Sequence, residues 1–135
     1  MNKRKTGTFY EKQAARYLES RGYEILWHSY RCRFGEIDLV ARDGAYLVFV
    51  EVKYRSGRAM GEGSCAVDVR KQRRICSTAA WYLMEYHLPE TTPCRFDVVS
   101  VDGEEISLIQ DAFAYRNRTQ EEYKWNGNGN RERGR

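Results

Sequence analysis

The chain has 135 residues, of which 41% are apolar and 31% are charged, and this suits one domain with one hydrophobic core. No run of about 18 apolar residues is present, so no membrane-spanning helix is expected, and the basic stretch at residues 1–6 lacks the apolar segment of a secretory signal. The net charge of +4 mildly favours a polyanionic partner, and we expect a cytoplasmic protein with no membrane partner.

The cysteines indicate free thiols rather than a metal centre. The chain has four of them, Cys32, Cys65, Cys76 and Cys94. They are widely scattered and form no C-x-x-C pair, so their spacing argues against a zinc site. Free thiols in a reducing cytoplasm are the simplest account.

The first predicted helix runs over residues 7–21. Thr8 is placed to cap it, and Glu11 three residues later completes a capping-box pattern. Apolar side chains then recur at helical spacing. Glu11 lies at the margin of the apolar face, so it either only caps the helix or reaches a site beside it, and the pattern leaves both interpretations open.

Three predicted strands follow, at residues 23–30, 35–40 and 47–53. The last two are joined at Asp43 and Gly44, a pair that tolerates the positive φ of a tight hairpin turn. The strand at residues 47–53 begins as a nearly continuous apolar run, which is typical of a strand buried on both faces in the middle of a sheet. The strand at residues 23–30 is predicted to lie at an edge.

Charged side chains end this hairpin. Glu51 and Lys53 alternate with Val52 and therefore share one face of the strand, and pairing across the turn can bring Asp38 beside them. Carboxylates buried together need a compensating cation, and two of them with water are a usual arrangement for Mg²⁺. The pattern favours metal-assisted hydrolysis of a phosphodiester. A surface ion pair between Glu51 and Lys53 is the alternative.

The same residues resemble a known family. Asp38 followed by Glu51-Val52-Lys53 resembles the PD-(D/E)xK signature of restriction-endonuclease-like nucleases. Residues 31–40 and 47–55 together are closer still to the YraN-type family, small bacterial proteins described as predicted nucleases and similar to archaeal Holliday-junction resolvases. The resemblance covers roughly residues 7 to 113 and so leaves out only the two ends of the chain.

The resemblance implies roles for these residues. Asp38, Glu51 and the carbonyl of Val52 would bind Mg²⁺ or Mn²⁺, Lys53 would orient the attacking water, and Glu11 would hold a second water or metal. Relatives commonly have glycine just before this glutamate, where this chain has Tyr10. Because resolvase-like relatives cut paired strands as dimers, a homodimer is also expected.

Basic side chains surround the predicted site. A second helix is predicted from Asp68 to about Tyr86, and the cations in its first turns oppose the helix dipole unless an anion binds there. Each cation either contacts phosphate or belongs to a solvated face. The predicted nucleic-acid contacts are Arg31, Arg33, Arg55, Lys71, Gln72 and Arg73.

Two further strands are predicted, at residues 95–101 and 105–109, joined by Asp102 and Gly103. Asp97 could assist the site, but an ion pair with Arg95 or with a basic residue of the second helix is favoured.

These patterns predict one α/β domain over residues 7–115, with a restriction-endonuclease-like mixed sheet flanked by helices in the order α-β-β-β-α-β-β. Residues 1–6 are expected to form a flexible basic N-terminus, and residues 116–135 a disordered basic tail. The predicted function is Mg²⁺- or Mn²⁺-dependent endonuclease-like cleavage of DNA, with branched DNA as a candidate substrate. The alternatives are a non-catalytic nucleic-acid-binding protein and a protein-interaction adaptor on the same fold.

Overall fold

The structure, a computed structural model, describes the backbone at residues 3–55 and 67–115 and side chains from residue 7 onward, except that of Arg55. It contains α1 (Lys3–Ser20), β1 (Glu24–Cys32), β2 (Gly35–Asp43), β3 (Tyr46–Arg55), α2 (Val69–Glu85), β4 (Cys94–Asp102) and β5 (Glu105–Ile109). The predicted α/β class and the order α-β-β-β-α-β-β are confirmed. The predicted tail at residues 116–135 lies outside the described residues.

The strands form one mixed sheet in the order β1-β2-β3-β4-β5. β3 and β4 are parallel, as the intervening helix predicts, and the other neighbouring pairs are antiparallel. β3 is the central strand, and its apolar run from Leu47 to Val50 is buried on both faces. This burial explains why the run does not alternate with polar residues.

The two helices cover opposite faces of the sheet. Phe49 belongs to the core that α2 covers, whereas its neighbours Val48 and Val50 belong to the core that α1 covers with Ala14 and Leu18. Successive strand side chains point to opposite faces, so one strand contributes to both cores. No helix in the described part of the chain is both long and apolar enough to span a membrane.

The predicted start of the first helix is wrong. α1 begins at Lys3, so Thr8 lies inside the helix and is not its N-cap. The physical reason lies in the preceding residues: Lys3, Arg4 and Lys5 are good helix formers, and they extend the helix past the possible cap. Glu11 is therefore not half of a capping box. The other predicted cap is confirmed, because Asp68 accepts a hydrogen bond from the backbone N–H of Lys71 at 2.8 Å.

A buried polar network connects β4 to residues near both edges of the sheet. Asp97 has no exposed surface and accepts hydrogen bonds from the Arg95 guanidinium at 2.9 Å, from the Tyr23 hydroxyl at 2.7 Å and from the backbone N–H of Asp111 at 2.9 Å. Arg95 also pairs with Asp43 at 2.7 Å. The predicted ion pair between Arg95 and Asp97 is confirmed, and this network is structural.

Gly35 allows the turn before β2 to lie against α2. Its φ is +151°, and a Cβ built there would be 3.3 Å from Oγ1 of Thr78 and 3.8 Å from Cβ of Arg74. The Thr78 hydroxyl cannot easily yield, because it donates a hydrogen bond to the Arg74 carbonyl at 2.8 Å. The turn therefore requires glycine for both its backbone angle and its close approach.

We expect Gly35→Ala to lower the free energy of unfolding by about 1–3 kcal/mol, measured by urea denaturation. The matched control is Gly7→Ala in α1, where a Cβ would meet nothing within 4 Å. That control should be neutral or stabilising by up to about 1 kcal/mol, because alanine is the better helix former. Equal stability of the Gly35→Ala protein and wild type would show that the turn does not depend on glycine.

Candidate active site

The site lies where the β2–β3 ladder ends. The paired residues run from Asp43 and Tyr46 to Leu39 and Val50. Asp38 and Glu51 come next in the same register. There Oδ2 of Asp38 accepts a hydrogen bond from the backbone N–H of Val52 at 2.7 Å. The Asp38 carboxylate thus accepts a hydrogen bond from a backbone N–H group at the point where the pairing of β2 with β3 ends.

Asp38 and Glu51 contact each other in a poorly hydrated place. The side chain of Glu51 is only 7% exposed. Burial, followed by the charges of Glu51 and Glu11, raises the pKa of Asp38 to about 8, although the N–H of Val52 acts in the opposite direction. Without a cation, Asp38 is therefore largely protonated at neutral pH.

Two further carboxylates approach Asp38. One ligand atom from each of Glu11, Glu36 and Asp38 lies within 4.8 Å of the others. Glu11 comes from α1, so the interpretation of this residue as only a helix cap is wrong. Glu36 is not among the predicted site residues. It is two residues before Asp38 on β2, and strand alternation was the signal that could have identified it.

Glu11 is held in place by a strained residue on β1. Its Oε1 accepts a hydrogen bond from the Ser29 hydroxyl at 2.8 Å. Ser29 has φ of +54°, which is uncommon for a residue other than glycine, and it lies between the pairs His28–Leu39 and Tyr30–Ile37, opposite Asp38. Unusual backbone angles often occur at functional sites.

An aromatic stack fixes α1 at this end of the sheet. Tyr10 stacks on Tyr54 of β3 with ring centroids 4.3 Å apart and an interplanar angle of 13°. These residues adjoin Glu11 and Lys53 in the sequence. The stack therefore couples the position of Glu11 on α1 to the end of β3. Lys53 is itself partly buried, two residues after Glu51.

The side chain of Lys71 is directed at Glu51 and not at open solvent. Its Nζ lies 2.6 Å from Oε2 of Glu51, and this ion pair raises the pKa of Lys71 against the opposing effect of burial. A cavity of about 210 Å³ opens beside the pair. Its lining residues are Gly35, Glu36, Asp38, Glu51, Lys71, Arg74 and Ile75.

The lining of this cavity does not include the other predicted nucleic-acid contacts whose side chains the structure describes. Arg31 is exposed and pairs with Glu36 at 3.4 Å, and the guanidinium of Arg33 lies 5.3 Å from the ring centroid of Phe34. Gln72 donates a hydrogen bond to the Val67 carbonyl at 2.7 Å, and its buried Oε1 has no hydrogen-bond partner among the described residues. Arg73 is exposed, and the side chain of Arg55 lies outside the described residues.

The donor set suits a hard divalent cation. Carboxylate oxygens from α1, β2 and β3 converge, and no thiol or imidazole is among them. Mg²⁺ and Mn²⁺ prefer oxygen ligands of this kind, whereas zinc sites usually include sulfur or nitrogen. The residues present therefore fit Mg²⁺ or Mn²⁺.

The chain matches a family that is described as uncharacterised. The model of the uncharacterised protein family UPF0102 matches residues 10–101. A UPF0102 protein of Lachnoclostridium phytofermentans is 56% identical over 113 residues, covering 84% of this chain and 96% of that protein. A UPF0102 protein of Syntrophus aciditrophicus is 49% identical, covering 81% of this chain and 88% of that protein. A UPF0102 protein of Legionella pneumophila is 39% identical, covering 79% of this chain and 92% of that protein.

Proposed function

This chain belongs to the uncharacterised protein family UPF0102, and on that premise we propose that it is a Mg²⁺- or Mn²⁺-dependent endonuclease-like hydrolase of DNA phosphodiester bonds. The resemblance to YraN-type proteins is confirmed at the level of the family. The nuclease chemistry is our proposal, and it is supported by the arrangement of the carboxylates.

The observation that carries the proposal is the contact of Asp38 with the nearly buried Glu51. Bringing like charges together away from water destabilises a fold unless something compensates them. An arrangement of this kind, in a cavity and with a strongly shifted pKa at Asp38, is typical of functional sites. A surface ion pair at a strand end would leave the carboxylates hydrated, and Glu51 is not.

The proposed chemistry assigns each side chain one task. Asp38, Glu51 and the carbonyl of Val52 would hold the cation. When bound, that cation would lower the pKa of a nearby water and offset the charge of the phosphate. Lys53 orients the water that attacks phosphorus. Glu11, itself positioned by the hydrogen bond from Ser29, holds a second water.

Cations beside the cavity support a nucleic-acid partner. Arg74 is exposed and lines the same cavity as Asp38 and Glu51, and Arg70 and Arg73 are exposed on the same helix. A phosphate bound at the carboxylates through a cation would lie near the guanidinium group of Arg74. Contacts of this kind position the backbone of a nucleic acid without reading its sequence.

A second candidate is a nucleic-acid-binding protein that does not cleave. The ion pair between Lys71 and Glu51 favours it, because an ammonium group at 2.6 Å neutralises Glu51 without a metal. In that case the carboxylates would have a structural role, and DNA would bind through the arginines alone.

A cleavage assay separates the two candidates. Labelled duplex, nicked, flap and four-way DNA, with RNA of matching sequence, are incubated with purified protein and either Mg²⁺, Mn²⁺ or EDTA. We expect at least one DNA substrate to be cut with metal and none with EDTA. Binding without cleavage of every substrate would favour the second candidate, and neither binding nor cleavage would contradict both.

A further inference from the structure

We propose that the Lys71 ammonium is a built-in counter-ion that holds the cation position beside Glu51 in the metal-free protein, and that it turns to a substrate phosphate when a divalent cation binds. This inference rests on the proposed function and adds a role that the sequence does not assign to Lys71. It makes metal binding and DNA binding energetically linked through one side chain.

The geometry around Glu51 requires a positive charge. Its side chain is 7% exposed, and Asp38, a second carboxyl group, is its neighbour. An ionised carboxylate in such surroundings needs a partner, and Lys71 supplies it at 2.6 Å. The ammonium therefore lies beside Glu51 where a divalent cation would also bind. The two cations cannot share that place without strong repulsion.

Lys71 is anchored at its backbone and adaptable at its tip. Its backbone N–H is fixed by the capping carboxylate of Asp68 at 2.8 Å, in the first turn of α2. The ammonium is carried on a flexible four-carbon chain, and the side chain is 45% exposed. Rotation about that chain can move the ammonium away from Glu51 without moving the helix.

The neighbouring surface offers a second position for the ammonium. Lys71 and Arg74 line the same cavity, and the N-terminal turn of α2 favours anions through its dipole. A phosphate drawn to the cation site would lie between these groups. Lys71 then exchanges a carboxylate partner for a phosphate partner, and so it remains neutralised in both states.

A purely structural ion pair makes a different prediction. If Lys71 only fastens α2 to β3, its loss lowers stability and has no specific effect on metal affinity. If it competes with the metal, its loss raises metal affinity even though the protein becomes less stable. Metal affinity in the absence of DNA distinguishes the two roles.

The experiment is calorimetric titration of DNA-free protein with Mn²⁺. We expect Lys71→Met to bind Mn²⁺ at least about tenfold more tightly than wild type. The matched control is Arg74→Met, which removes a cation from the same cavity but leaves the Glu51 contact intact, and its affinity should change less than about threefold. Lys71→Arg retains a cation and is expected to bind Mn²⁺ no more tightly than wild type.

The second arm measures DNA affinity with and without Mn²⁺ in a Lys53→Ala background, so that cleavage does not interfere. Mn²⁺ should tighten DNA binding, and adding Lys71→Met should reduce that gain. Mn²⁺ affinity of Lys71→Met equal to or below that of wild type would overturn the counter-ion role while leaving the proposed metal site intact. If neither protein bound Mn²⁺, the proposed function itself would fail, and the inference with it.

Discussion

Replacing Lys53 by alanine is expected to slow DNA cleavage by about 10²–10⁴-fold while leaving the affinities for DNA and Mn²⁺ within about threefold of wild type. Lys53 follows Glu51 by two residues on β3 and is partly buried. A group that orients the attacking water acts mainly in the transition state, so its loss lowers turnover far more than binding.

Two further variants sharpen this prediction. Lys53→Arg keeps the positive charge but not the compact ammonium, and arginine is a poor proton-transfer group, so it should also cleave slowly. Lys12→Ala removes an exposed lysine next to Glu11 in the sequence and should cleave at the wild-type rate. Single-turnover cleavage and filter binding measure the two effects separately. Cleavage by Lys53→Ala at the wild-type rate would place the activity at another site or in a contaminant.

Replacing Asp38 by asparagine is expected to abolish detectable Mn²⁺ binding and to stabilise the metal-free protein at alkaline pH. The folded-state pKa of Asp38 is about 8, above its ordinary value of 3.8. The stability that the protonated group contributes is therefore fully present below about pH 3.8, falls as the pH rises, and is lost above about pH 8. Asparagine stays neutral and can still accept the hydrogen bond from Val52.

Urea denaturation in EDTA at pH 5 and pH 9 measures this effect. Relative to wild type, Asp38→Asn should gain about 4 kcal/mol more in the free energy of unfolding at pH 9 than at pH 5. The control is Glu19→Gln, at an exposed position on α1, which should show no such gain. A loss of stability in Asp38→Asn at pH 9 would mean that the Asp38 charge is compensated in the metal-free protein.

Local patterns predicted most of the architecture. The turn at Asp43 and Gly44, the apolar run of β3 and the Asp68 cap each follow from the chemistry of a few adjacent residues. Strand alternation on both sides of one hairpin was enough to bring Asp38 and Glu51 together. These features depend on sequence neighbours, and sequence neighbours can be read directly.

The remaining features depend on how distant elements meet. The contact between Lys71 and Glu51 requires the position of α2 over the sheet, and the one between Glu11 and Ser29 requires a left-handed residue in β1. Neither follows from periodicity. The start of α1 differs from the prediction for another reason, because the helix-forming residues before Thr8 extend the helix past that possible cap. Alternation alone places Glu36 on the same face of β2 as Asp38.

The binding of a divalent cation by Asp38 and Glu51 can be tested without knowing the DNA substrate. The measurement is the anomalous diffraction signal of Mn²⁺ in crystals soaked in that metal. We predict an anomalous peak between the carboxylates of Asp38 and Glu51, within about 2.0–2.6 Å of an oxygen of each, that is absent from Asp38→Asn crystals. No peak there, with Lys71 still on Glu51 at high Mn²⁺ concentration, would contradict a metal-dependent site.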